Sequence, residues 1–299
     1  MHTPSRPRPP QSPRFATSGR HEHGQNFLRD RRVAHRIADL VAAWPRHPLI
    51  EFGPGDGAIT DVLAARSRLT AVEIDRRYVE RLRRRHGRRV TVVHGDMLTY
   101  RMPRPANVVS NVPFHLTTPL LRRLLADQAW QHALLVLQWE VARKRAGVGG
   151  ATLMTAESWP WYDFALVDRV PARAFAPVPA VDAGILLVDR RPVPLVPLGE
   201  SATYRALVRR VYAAPGHGAV AMAARVVGRS RARAWSAEAG VGSNALIRAV
   251  TAEQWAALHR LAADGRDAAT PPGSERQSPA RVHGAAVPLR QAAAIADRL

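Results

Sequence analysis

The chain has 299 residues and no cysteine. That excludes a disulfide scaffold and thiolate-bound metal, and it fits a reducing compartment. Lysine is nearly missing too: Lys144 is the only one, and arginine supplies the rest of the positive charge. No apolar run approaches the roughly 20 residues that cross a bilayer, so no membrane span is expected. Met1 to Arg14 holds proline and arginine without an apolar stretch, unlike a secretory signal, and a cytoplasmic protein is expected. The 12 histidines show no ligand spacing, so no metal is expected, and a G-x-S-x-G nucleophile elbow is absent. There are no internal repeats.

What is present is charge. The 44 Lys+Arg against 24 Asp+Glu leave a formal +20, a field that attracts polyanions. No long stretch pairs one basic face with one clean apolar face, so nucleic acid is favoured over a membrane surface as the partner. The 46% hydrophobic content suffices for a sizeable core, and the length suits one large domain plus a smaller one.

Residues 1–20 read as a disordered basic tail, rich in Pro, Arg, Ser and Thr. His21 to Leu28 compresses polar side chains around two apolar anchors, with His21 and His23 fitting a flap better than a zinc site. Asp30 can cap a helix carrying Val33, Ile37, Leu40 and Val41, which Pro45 ends. Strands are expected at Leu49–Phe52, Leu69–Ile74, Val90–Val93, Asn107–Ser110 and Ala133–Leu137, alternating with helices. This pattern predicts an α/β fold with a parallel sheet covered on both faces. Trp159-Pro-Trp-Tyr-Asp-Phe164 and Phe175-Ala-Pro-Val-Pro179 hold too many prolines for helix, and the first reads as core. Ala183–Val188 fits a last strand in an antiparallel pair. Pro192–Pro197 reads as a linker between a large domain at 21–191 and a small helical domain at 198–263. Residues 264–299 read as a mostly disordered tail.

Three pieces carry the chemistry, in chain order. Glu51-Phe-Gly-Pro-Gly-Asp-Gly57 follows a strand and opens a helix, where glycines allow unusual backbone angles and close ligand approach. Glu73, about 20 positions on at the next strand end, can accept from both hydroxyls of a ribose. The G-x-G-x-G spacing with Glu51 before it favours a nucleoside without a pyrophosphate, hence S-adenosylmethionine over NAD. Asp96, after the third strand, can accept from an adenine amino group. The third piece is Asn111-Val112-Pro113-Phe114. An adenine amine is a poor nucleophile because its lone pair is delocalised. Accepting its two N–H groups through the Asn111 side chain and the Val112 carbonyl favours a pyramidal nitrogen. Pro113 fixes the backbone, and Phe114 can stack on an extruded base. These residues point to a methyltransferase acting on adenine in RNA.

The sequence from His21 to Ala263 resembles the rRNA adenine N6-methyltransferase family, and within it the Erm type. Gly24-Gln-Asn-Phe-Leu28 is similar to the family's N-terminal cofactor motif, Glu51–Gly57 to its glycine loop, and Glu73-Ile-Asp75 to its ribose motif. Gly95-Asp96-Met97 is similar to its adenine motif, and Asn111–Phe114 to its catalytic tetrapeptide. Trp159-Pro-Trp-Tyr, Phe175–Asp182 and Leu246–Leu258 resemble stretches of actinomycete Erm proteins. The resemblance implies a seven-stranded Rossmann-like sheet with a small helical C-terminal domain. It implies cofactor contacts from Asn26, Leu28, Gly53, Gly55, Glu73, Asp96, Met97 and Asn111, with Asn111, Val112, Pro113 and Phe114 at the chemical step. It also implies a monomer that methylates one adenine of 23S rRNA before ribosome assembly is complete, giving macrolide, lincosamide and streptogramin B resistance. Two other readings stand beside it: a housekeeping dimethyltransferase of small-subunit 16S rRNA, and a non-catalytic nucleic-acid-binding factor on the same fold. Asn26 after Gln25 favours the Erm type, because the housekeeping enzymes usually show His there. Val112 departs from the commoner Ile or Leu, with little consequence expected for a residue acting through its backbone. The helical domain is arginine-based rather than lysine-rich, which preserves phosphate affinity.

Overall fold

Each strand of the expected pattern is a short apolar run, and a run buried on both faces needs helices above and below it. A computed structural model describes residues 26–267. The tail 1–20, the His21 and His23 flap, Gly24-Gln25 of the N-terminal motif and residues 268–299 lie outside the described residues. After β1 (Phe27–Leu28), the Asp30 carboxylate accepts from the Arg32 N–H at 2.8 Å and starts α1 (Arg31–Ala42). That helix buries Ala34, Ile37, Ala38, Leu40 and Val41 and ends before Pro45. Then come β2 (Leu49–Phe52), α2 (Ala58–Leu63), β3 (Leu69–Glu73), α3 (Arg76–His86) and β4 (Val90–His94). Asp75 caps α3, accepting from the Arg77 N–H at 2.8 Å.

The second half repeats the alternation with β5 (Ala106–Asn111), α4 (Thr117–Ala126), β6 (Trp130–Gln138), α5 (Trp139–Arg145) and α6 (Leu153–Ala156). It closes with β7 (Tyr162–Val170), β8 (Phe175–Ala176) and β9 (Ala183–Arg190). The seven-stranded sheet has the order β4-β3-β2-β5-β6-β9-β7. Its first five strands are parallel, and β9 runs antiparallel to both neighbours. β7 and β9 form the antiparallel pair at the end of the sheet, and Trp161 and Tyr162 are buried core at its start. The Phe175 stretch contributes a strand of its own, because β8 pairs with β1 in a separate two-stranded ribbon.

Strand order turns back on itself between β2 and β5. Loops leaving the carboxyl ends of those two strands diverge, and the crevice between them is where an open α/β sheet takes its ligand. One of those loops is the glycine loop; the other is Asn111–Phe114.

Four helices follow: α7 (Ser201–Ala213), α8 (Ala219–Val227), α9 (Arg229–Glu238) and α10 (Ala252–Asp267). The last continues past the boundary expected at 263. These helices share one apolar core with one face of the sheet, running from Trp130 and Leu186 through Trp161 to Tyr204, Trp235 and Trp255. Within residues 192–197, Leu195 and Val196 reach that junction, where Val196 is buried and its carbonyl accepts from the Trp161 indole N–H at 2.9 Å, while Val193 stays exposed.

Candidate active site

At the end of β2 the chain must turn within a few residues to enter α2. Gly53, Gly55 and Gly57 do this with φ of 65°, 53° and 88°, a region that L side chains rarely enter. Close packing adds to the requirement. A Cβ on Gly53 would lie 3.0 Å from Met97 Cε, and one on Gly55 would lie 2.7 Å from Phe27 Cε1.

Beside this loop lies a cavity of roughly 220 Å³. It is lined by Asn26, Gly53, Gly55, Glu73, Asp96 and Met97 and by Asn111, Val112, Pro113 and Phe114, all singled out in the sequence. Leu28 lines instead a smaller adjoining cavity of roughly 30 Å³, with Glu51, Gly53, Asp56 and Asn111. Its own side chain is buried where β1 meets β8.

Glu73 ends β3 with its carboxylate turned onto backbone donors. Oε2 accepts from Gly55 N–H at 3.0 Å, and Oε1 accepts from Ile74 and Asp75 N–H at 2.8 and 2.9 Å. Burial raises its pKa, opposed by those hydrogen bonds. Three accepted bonds leave carboxylate lone pairs for a further donor. Glu51, two residues before the glycine loop, is fully buried, and desolvation pushes its pKa up to about 8 despite a 2.7 Å bond from the Thr60 hydroxyl. Asp96 is half-buried, and its Oδ1 accepts from the Leu98 N–H at 2.8 Å.

Asn111 is oriented by chemistry. Its side-chain Nδ2 donates to the Asn26 carbonyl at 2.9 Å, and a carbonyl can only accept, so Oδ1 is the atom left to receive a donor. The next residues are pinned through the backbone. Val112 N–H donates to the Val136 carbonyl at 3.1 Å, and the Pro113 carbonyl accepts from Leu116 N–H at 2.8 Å, closing a short 3₁₀ turn over Phe114–Leu116. Phe114 stays half-buried at the cavity wall.

The cavity also includes residues given no role from the sequence, among them Phe27 and Ile74 within quoted motifs and Leu98 and His115 outside them. Ile74 carried a signal: an apolar side chain between two acids at a strand end is 53% exposed, and an exposed flat-sided isoleucine on a ligand edge invites an apolar ring. Among the described residues no group of three or more His, Cys, Asp or Glu side chains could hold a metal ion.

A family model described as ribosomal RNA adenine dimethylase matches residues 16–264. The mycinamicin-resistance protein MyrB of Micromonospora griseorubida is 52% identical over 270 residues, covering 87% of this chain and 86% of that protein. An rRNA adenine N-6-methyltransferase of Corynebacterium diphtheriae is 47% identical over 203 residues, covering 67% of this chain and 80% of that one. Among solved structures, the 23S rRNA methyltransferase ErmE superposes with a TM-score of 0.73 at 34% identity, covering 80% of this chain and 100% of its own. Sequence, fold and site converge: the chain belongs to the ribosomal RNA adenine dimethylase family and stands on its Erm-type branch of rRNA adenine N6-methyltransferases.

Proposed function

We propose that this enzyme transfers one or two methyl groups from S-adenosylmethionine to N6 of a single adenine in 23S rRNA, and that the modification confers macrolide, lincosamide and streptogramin B resistance. The observation that carries the chemistry is the oriented Asn111 at the sheet's switch point, beside a ring-presenting Phe114. The likeness to a mycinamicin-resistance protein and to ErmE supports the choice of RNA and outcome.

The cavity fits the cofactor. Gly53 and Gly55 keep its floor open to a ligand's approach, Glu73 retains acceptor capacity for ribose hydroxyls, and Ile74 offers an apolar face to adenine. Asp96 and Met97 flank the same end, with Asp96 accepting from the adenine amino group. Asn26, Leu28 and Gly53 border the methionine end. When bound, the cofactor would supply an electrophilic methyl whose broken C–S bond leaves a neutral thioether that needs no acid, the surplus N6 proton passing to solvent.

The chain's own task is to prepare the nucleophile. Asn111 Oδ1 and the Val112 carbonyl accept the two N–H bonds of the target amine, turning its lone pair toward the methyl. Pro113 holds the two acceptors convergent, and Phe114 stacks on the extruded base, worth ~1–3 kcal/mol. Both acceptors are placed before the substrate arrives, so orientation rather than acid–base chemistry drives the rate. Phosphates are met by the exposed Arg225, Arg229, Arg231 and Arg233 of the helical part, and the enzyme acts as a monomer in the cytoplasm on rRNA not yet fully assembled.

The test offers tritiated S-adenosylmethionine with protein-free 23S rRNA and, separately, immature small subunits. Label on one 23S adenine is expected. Label on paired adenines of the small-subunit RNA would make this a ribosome-biogenesis enzyme instead, and no label with RNA still bound would leave a binding factor. Asn111→Ala is expected to lower kcat by about a hundredfold or more while RNA affinity persists.

A further inference from the structure

Carboxylates are scarce in a chain with 24 Asp+Glu against 44 Lys+Arg, and one of them is shared by two arginines while a third holds the same residue's backbone. Asp56 lies in the glycine loop between Gly55 and Gly57. Its Oδ2 accepts from Arg29 at 2.9 Å, its Oδ1 accepts from Arg81, and its backbone carbonyl accepts from Arg85 at 2.7 Å. Arg81 and Arg85 are four residues apart on α3, so they project from one face. Arg29 directly follows β1, which itself follows the Asn26 whose carbonyl orients Asn111. The same contacts continue through rings: Arg81 lies over Tyr78 at 5.4 Å, and Tyr78 packs against Phe27 at 5.5 Å. Phe27 in turn closes on Gly55.

An isolated exposed ion pair contributes little. Here the pairs join the glycine loop to the segment after Asn26 and Phe27, which line the cavity, and to α3, which follows the cavity-lining Glu73 and Ile74, and the loop in the middle is rich in glycine and therefore costly to order. We propose that Asp56 is a positioning residue for the cofactor: it fastens the glycine loop to the Asn26–Arg29 segment on one side and to α3 on the other, so the cavity wall is assembled before the ligand arrives. The proposal rests on the reading that this cavity takes S-adenosylmethionine.

The experiment titrates S-adenosylmethionine into the full-length protein without RNA, then measures kinetics with 23S rRNA. Asp56→Ala and Arg29→Ala should each raise the cofactor Kd about fivefold to tenfold, with kcat at saturating cofactor and KM for RNA moving less than about twofold. The double variant should lose no more than Asp56→Ala alone, because both remove one shared contact. Asp56→Glu should recover part of the affinity. Raising the salt concentration should weaken wild-type binding more than Asp56→Ala binding. An unchanged Kd in both single variants overturns the proposal, as do losses that add in the double variant or a fall in Tm and kcat at constant Kd. If Asp56→Ala does not fold, Arg29→Ala, whose side chain is 56% exposed, carries the test. Failure of the wild type itself to bind the cofactor overturns the reading of the cavity rather than the role of Asp56.

Discussion

Glu51 shows what burial does to a single residue. It sits on β2 with both faces of the sheet covered, and desolvation lifts its pKa to about 8 from the 4.5 of an exposed glutamate. A folded pKa above the unfolded one means the folded state binds the proton more tightly. The resulting stability is complete below about pH 4.5 and is lost as pH rises through about 8. Glu51→Gln should therefore flatten the fall in stability across this window, removing a slope of up to about 1.4 kcal/mol per pH unit. Urea titrations at several pH values would show it, and parallel wild-type and variant curves would refute it. Glu73 is raised in the same direction and remains in the variant, so some slope should persist. The positions of Glu51 before the glycines and of Glu73 at the next strand end were legible from the sequence. Their protonation was not, because it depends on the layers that cover them.

At the scale of elements, α3 is the instructive case. Its run of arginines could serve an RNA-binding face or a solvated one. The structure gives several of them internal work: Arg81 and Arg85 hold the glycine loop, and Arg83 donates to the Val92 carbonyl at 2.9 Å, tying the helix to β4. Arg84 remains exposed. The Trp159–Tyr162 stretch lies between the sheet and the helices. Trp161 is buried edge-on against Tyr204 at 5.4 Å, and the Tyr204 hydroxyl donates to the Ala156 carbonyl at 2.7 Å, so this turn joins sheet to helices. Trp161→Ala should cost about 3–5 kcal/mol. Denaturant unfolding followed by separate probes of sheet and helices should show both parts weakened; a loss confined to one would show that the junction carries no coupling.

For the whole molecule, charge is the governing fact. The formal net charge is +20, and no helix among the described residues is long and apolar enough to cross a membrane. Arg225, Arg229, Arg231 and Arg233 are all exposed on adjacent helices α8 and α9. If they neutralise phosphates, each arginine replaced by alanine should reduce the log–log salt slope of rRNA binding by about one unit. Slopes unchanged across the four variants would place the RNA elsewhere. The charge does not build the fold. That comes from an apolar core continuous from the sheet to α10, in which the helices bury Trp235 and Trp255.

By itself the sequence determined what depends on a few neighbouring residues. Positive φ demands glycine at Gly53 and Gly55, Asp30 and Asp75 cap the helices that follow them, and short apolar runs specify strands. The order of glycine loop, acid and tetrapeptide could be read for the same reason, since each ends a strand at the same edge of a parallel sheet. Tertiary structure decided what long-range contact supplies. Asn111 takes its orientation from Asn26, 85 residues away, β1 finds its partner in the Phe175 stretch, and Asp56 gathers arginines from two separate segments. Spacing along the chain carries no record of such pairings, because they form only when the sheet has brought those loops together.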